Sequence, residues 1–245
     1  MKAHSTLTLP FLLLLTLSAQ TFADDNDWQW PSFNGLIAGA VSYDDLPYKQ
    51  INAQTQPGLL VFGRLGDVFI EGNRAGLPLK RFGFGTLSAL GQLRTHQYLD
   101  ASQTDLTDQD RDRSIELGPQ LSLPLGHGFV SQFSVLQDIS GKHKAQEYEA
   151  AVYKRFNFDD LRIIATVAAQ FQSEALMEYY VGTDSYQPKA ELTQEVELLA
   201  VYDINDDWSA VAVWRYYQHG DEFADSPLTR DRRTQRLALG IGRHF

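Results

Sequence analysis

The sequence predicts an all-β protein: an antiparallel transmembrane β-barrel of about 10–12 strands, with short periplasmic turns and longer external loops. The first observation behind this is the closing stretch, where Leu237, Leu239, Ile241 and Phe245 alternate with Arg236, Ala238, Gly240, Gly242 and His244. Such a strand can turn one face to lipid and the other to a polar lumen. The second is the rhythm of the connections from Phe84 onward: Ala101–Arg113, His127-Gly128, Ser140–Lys144, Asp159-Asp160, Ser173–Ala190, Asn205–Asp207 and His219–Arg230. Long and short alternate, as they do in outer-membrane barrels, whereas a soluble meander has no reason to keep that asymmetry. With Phe245 at the periplasmic end, every short connection falls on the periplasmic side. The third is the lack of helical periodicity and of any apolar run near the roughly 20 residues a spanning helix needs.

The elements follow in order. Phe33 to Tyr43 is a strand rich in small residues, preceded by Trp28 and Trp30, and Asp44 to Gln56 reads as a loop. Leu59 to Leu65 is a second strand, closed by a Gly66-Asp67 turn. Val68 to Lys80, interrupted by Gly72-Asn73, makes either two strands or none; both counts keep the total even. Phe84 to Leu99 sets Leu87, Ala89 and Leu93 against Ser88, Gln92 and Arg94. Ile115 to Leu125 is the clearest alternation, although Pro119 and Pro124 each remove a ladder donor. Phe129 to Asp138, Gln146 to Phe158, Leu161 to Gln172, Leu192 to Ile204 and Trp208 to Gln218 complete the series before the closing strand.

Residues 1–23 read as a signal peptide: a polar head with Lys2 and His4, an apolar centre from Leu7 to Leu17, and a small-residue site at Thr21-Phe22-Ala23. Residues 24–245 are then expected to form a single barrel domain, addressed to the bacterial cell outer membrane. The chain of 245 residues has no cysteine, which excludes disulfide staples and a cysteine-linked lipid, and its formal net charge is −10. That balance argues against a nucleic-acid partner, which selects a basic stripe. It suits an environment of outer-membrane lipid and lipopolysaccharide.

The Tyr179-Tyr180-Val181-Gly182 segment, the Gly58 to Leu79 stretch, the Ala224-Asp225-Ser226-Pro227-Leu228-Thr229 loop and the terminal Leu239 to Phe245 resemble the MipA/OmpV family of outer-membrane proteins. The family-like residues are Tyr179, Tyr180, Gly182, Ser226 and Pro227. The resemblance implies a barrel without enzymatic activity or cofactor. It also implies a scaffold or interaction role for murein-remodelling enzymes (a lytic transglycosylase and a bifunctional penicillin-binding protein) or a part in the envelope stress response. A periplasmic partner would be gripped by the short turns or by Asp24 to Phe33.

The residues themselves offer little catalytic chemistry. Asp105, Asp108, Asp110 and Asp112 have calcium-loop spacing, but the turn glycine and the terminal glutamate are missing, so a solvated loop is expected. His219 lies near Asp221, Asp225 and Ser226 in sequence, with nothing to bring them into reach of one another. The charges on the polar faces are more informative: Glu116, Glu147, Glu149, Arg155, Arg162, Glu195, Glu197 and Arg236 should face the lumen, with Arg215 as a further candidate. They can fill it as an ion-paired network, or line a narrow channel for small solutes or ions, since ten or twelve strands fall between filled and open barrels.

Overall fold

The computed structural model describes residues 31–51, 53–95, 97–107 and 109–245, so the expected signal peptide and the two early tryptophans lie outside the described residues. Pro31–Phe245 is one compact unit. Its strands are β1 (Phe33–Asp44), β2 (Gln54–Leu65), β3 (Val68–Glu71), β4 (Arg74–Phe82), β5 (Gly85–Arg94), β6 (Ser114–Gly126), β7 (Phe129–Asp138), β8 (Gln146–Phe158), β9 (Leu161–Gln172), β10 (Glu191–Asp203), β11 (Trp208–Gln218) and β12 (Arg233–His244). Each pairs antiparallel with the next, and β12 returns to β1 to close the barrel. The closing seam is sealed by the Gly35 N–H on the Phe245 carbonyl at 3.1 Å and the Phe245 N–H on the Gly35 carbonyl at 2.9 Å.

Side-chain alternation sorts the two faces. Leu239, Ile241 and Phe84 are 54%, 58% and 66% exposed and belong to a continuous apolar outer surface. A soluble protein rarely leaves such a surface open to water, whereas a lipid-facing wall requires it. Near the short turns this wall carries a girdle of rings: Phe82 stacked on Phe84, Phe156 stacked on Phe158, and Phe33 edge-on to Phe245. Aromatic rings sit well at a membrane–water boundary, and Lys154, over the rings of Phe129 and Phe156, can reach past them to water.

Val68–Lys80 makes two strands, and the Gly72-Asn73 interruption is the turn between them. β2 begins at Gln54, earlier than the alternation signals, because its full length pairs with β1. β5 ends at Arg94, and the chain then leaves the wall. Two short α-helices stand among the described residues, α1 (Glu174–Val181) and α2 (Asp221–Ala224), both within the expected long loops. Short loop helices have too few turns to leave a readable period. In β6 the ladder to β7 lapses at Gly118-Pro119 and shifts between Pro124 and Gly126, where the prolines have no N–H to give.

Candidate functional site: a capped and charged lumen

The lumen on the loop side is crossed by ion pairs, some between adjacent strands and some between strands several places apart in the wall. Arg94 of β5 is 1% exposed; it meets Glu116 of β6 at 2.6 Å and Glu147 of β8 at 2.7 Å. His143, from the β7–β8 loop, places Nε2 3.1 Å from the same Glu116 carboxylate. Arg74 of β4 grips Glu149 of β8 with both terminal nitrogens, at 2.8 and 2.6 Å. This fork geometry fixes both partners. Gln170 donates to Glu149 and to Glu195, and Arg215 joins Glu195 at 3.7 Å and is hydrogen-bonded to Glu197. Arg236 pairs with Asp44 across the closing seam and reaches the Thr95 hydroxyl.

The eight sequence-selected charges therefore fall into three groups. Glu116, Glu147, Glu149, Glu195 and Glu197 join one polar network. Arg236 lies on the seam, and Arg162 pairs with Asp203 at 2.8 Å near the short turns. Arg155 is exposed and makes no ion pair among the described residues. The cations that complete the network, Arg74 and Arg94, were not selected with them, although Arg94 already stood on the polar face of its strand.

Above this network the loops fold over the mouth. Ala145, Leu176, Met177, Tyr180, Val181 and Phe223 form one buried cluster, and Leu46, Tyr48, Ile51, Leu99 and Leu228 form another. The family-like residues tie the two together. The Tyr48 hydroxyl donates to the carbonyls of Gln97 (2.8 Å) and Tyr180 (3.2 Å). The Tyr180 hydroxyl donates to the Asp112 carbonyl at 3.1 Å, while the Tyr179 oxygen accepts the Asp112 N–H at 2.9 Å. Gly182 accepts from buried Arg111, Ser226 donates to the Val181 carbonyl at 2.6 Å, and the Pro227 carbonyl accepts from Lys49. Burial pushes the phenols of Tyr48 and Tyr180 well above their usual range, so both remain neutral donors.

The sequence model of the family described as MltA-interacting protein MipA matches residues 37–245, which is nearly the whole barrel. The chain belongs to the MipA family. No curated protein matches it. Among solved structures it is similar to the translocator domain of autotransporter NalP from Neisseria meningitidis, at 10% identity and a TM-score of 0.48, with 90% of each chain covered. It is also similar to the COG4313 outer membrane channel from Pseudomonas putida F1, at 12% identity and a TM-score of 0.45, covering 91% of this chain and 98% of that one. A third is OmpT of Vibrio cholerae, at 9% identity and a TM-score of 0.40, covering 87% and 97%.

In this MipA-family barrel His219 and its sequence neighbours Asp221 and Ser226 take separate partners. His219 stacks flat on Phe223 with ring centroids 3.9 Å apart, and its nitrogens meet the hydroxyls of Thr193 and Thr234 at 3.2 Å each. Asp221 instead pairs with Arg232, and Ser226 is spent on Val181. Of the loop aspartates, Asp110 accepts the Ala101 N–H and Asp112 pairs with Lys142. Asp108 lies outside the described residues, and no group of three or more metal-ligating side chains gathers among the described ones.

Burial in the cap holds the His219 imidazole neutral, with its pKa lowered to about 3. In the unfolded chain it titrates near 6.5 and takes up a proton that the folded cap refuses. Cap stability therefore falls as pH drops from about 6.5 toward 3, by about 1.4 kcal/mol per pH unit for one proton. Limited proteolysis of the loops in the folded barrel should accelerate about twenty-fold between pH 7 and pH 5. His219→Phe should reduce that acceleration, and an unchanged profile would show that His219 does not control it.

Proposed function

We propose that this MipA-family barrel sits in the bacterial outer membrane with its loop end outward and works without catalysis. Its role is that of an interaction protein, presenting its turn end to a murein-remodelling partner of the lytic transglycosylase class, with a bifunctional penicillin-binding protein as a further member of the assembly. One observation carries this reading: the mouth is covered by two packed loop clusters and the lumen beneath it is crossed by the Arg94–Glu116–Glu147 pairs. A barrel filled in this way suits holding better than bulk passage. The family's name supplies the class of partner. Solubilised barrel immobilised through its loop end should retain a lytic transglycosylase from a periplasmic extract, and shortening the Asp159-Asp160 and Asn205–Asp207 turns should weaken the retention. Recovery of no murein enzyme would count against the role.

A narrow channel is the second reading, and one observation favours it. On the loop side, the lumenal carboxylates Asp44, Glu116, Glu147, Glu149, Glu195 and Glu197 outnumber the guanidinium groups of Arg74, Arg94, Arg215 and Arg236. Any conductance in planar bilayers should then prefer cations, and a silent bilayer would remove this reading.

A further inference from the structure

The wall of the barrel is incomplete on one side. β3 pairs only with Phe62–Leu65 of β2, because the chain turns back at Gly72-Asn73. The hairpin tip is pinned by the Gly72 N–H on the Val61 carbonyl and the Leu93 N–H on the Asn73 carbonyl. Beyond that tip, Thr55, Pro57 and Leu59 continue the series of residues whose backbone groups point toward β3, and among the described residues no strand stands opposite them. Pro57 has no N–H to leave unpaired, which suits an open edge. β5 ends at Arg94, level with Leu60 across the ladders, so among the described residues no strand flanks Thr55–Leu59 on that side. At the loop-side rim the Tyr98 hydroxyl meets Gln54 and Gln56, and the Arg113 guanidinium covers the Tyr98 ring at 4.4 Å.

Behind the gap, the inner face of β2 changes character along its length, reading Gly58, Leu60, Phe62, Arg64. Nothing lies within 4 Å of where a Cβ would stand on Gly58, so the lumen is open there. Leu60 and Phe62 pack against the buried Leu36, Ala38 and Val211, an apolar patch on the inner face of the barrel. Arg64, about 13 Å beyond Leu60 along the strand, is exposed and makes no hydrogen bond or ion pair among the described residues, and the same holds for Arg155. Both lie within electrostatic reach of Glu71 on the neighbouring inner face.

We propose that this gap is a lateral window through which a single-chain anionic amphiphile, such as a long-chain carboxylate, passes from the membrane into the lumen. Its hydrocarbon chain lies along Gly58, Leu60 and Phe62, and its head group is held by Arg64 with Arg155. The window takes its occupant from lipid, so this inference rests on the membrane placement proposed above.

Because the chain has no cysteine, single-cysteine labels read the window directly. Three variants are labelled with a fluorophore in bilayers of phosphatidylcholine brominated on its chains: Gly58→Cys behind the window, Thr166→Cys on the inner face of the opposite wall, and Leu239→Cys on the outer face. Each is first checked for a heat-dependent gel shift. Strong quenching at 58 and 239, and at least two-fold less at 166, is the expected result. No quenching at 239 would overturn the membrane placement itself, whereas quenching at 239 with 58 no more quenched than 166 would overturn the window alone. Dodecanoate should shift the emission of the label at 58, dodecyltrimethylammonium should do so far less, and Arg64→Gln should raise the dodecanoate dissociation constant about ten-fold. Equal responses to the two amphiphiles, or no effect of Arg64→Gln, would overturn the assignment of the head-group site.

Discussion

Replacing Arg94 with methionine should lower the unfolding free energy of the barrel by about 3–5 kcal/mol, the range for breaking a buried ion pair from one side. The guanidinium is 1% exposed and serves two carboxylates, Glu116 on the adjacent β6 and Glu147 on β8, three strands away. Methionine matches much of its length, so the loss is electrostatic: two carboxylates stay in a closed interior, with the His143 imidazole beside Glu116. The cost comes from desolvation that the partner no longer offsets, and it should shrink when Glu116→Gln and Glu147→Gln are added. Urea midpoints in bilayers, with the heat-dependent gel shift as the check on folding, measure it. The exposed Lys142–Asp112 pair at 2.6 Å is the contrast: Lys142→Ala should leave the midpoint unchanged, because water screens both charges. An Arg94→Met midpoint equal to that of Lys142→Ala would show that the lumenal network does not hold the barrel together.

Gly118→Ala should cost about 1–3 kcal/mol, the ordinary range for overpacking, and should lie at its upper end. A Cβ at this position would stand 1.7 Å from the Val135 carbonyl oxygen, which is backbone and cannot step aside without moving β7. The ladder is already interrupted there, so little pairing resists the shift, but β7 carries Asp138, which receives the N–H groups of Ser140, His143 and Lys144. Displacing it disturbs the loop that delivers His143 to Glu116. Gly58→Ala is the matched control, since its Cβ meets open space and its folded fraction should be unchanged. The pair separates a steric effect from a general penalty for adding a side chain to a strand.

The architecture was readable because lipid outside and polar groups inside impose one period on every strand. β7, β8 and β11 begin and end where the alternation does. The cap was not readable, for a physical reason. Its residues pack by contacts between loops far apart in the chain: Tyr48 reaches Tyr180, and Ser226 reaches Val181. No local spacing encodes such meetings. The family-like Tyr179, Tyr180, Gly182, Ser226 and Pro227 marked the right residues without saying that they meet. The lumenal charges were half readable, since parity gives the face of a side chain but not its partner across the barrel. The window was hidden for a related reason: Gly72-Asn73 signals a turn, but only the pairing register shows how early that turn comes relative to the end of β2.

The seam between β1 and β12 also constrains how the barrel is built. Leu36 pairs with His244 and Asp44 with Arg236, so the first strand waits for the last across almost the full sequence. Contacts of such separation pay the loop-closure entropy of the whole chain before they return any stabilisation, and folds that depend on them form slowly. Until β12 arrives, β1 presents a bare strand edge, a template for wrong pairing. Assembly of this barrel therefore depends on something shielding that edge during transit, and a defect in β12 should appear as failed assembly before it appears as reduced stability.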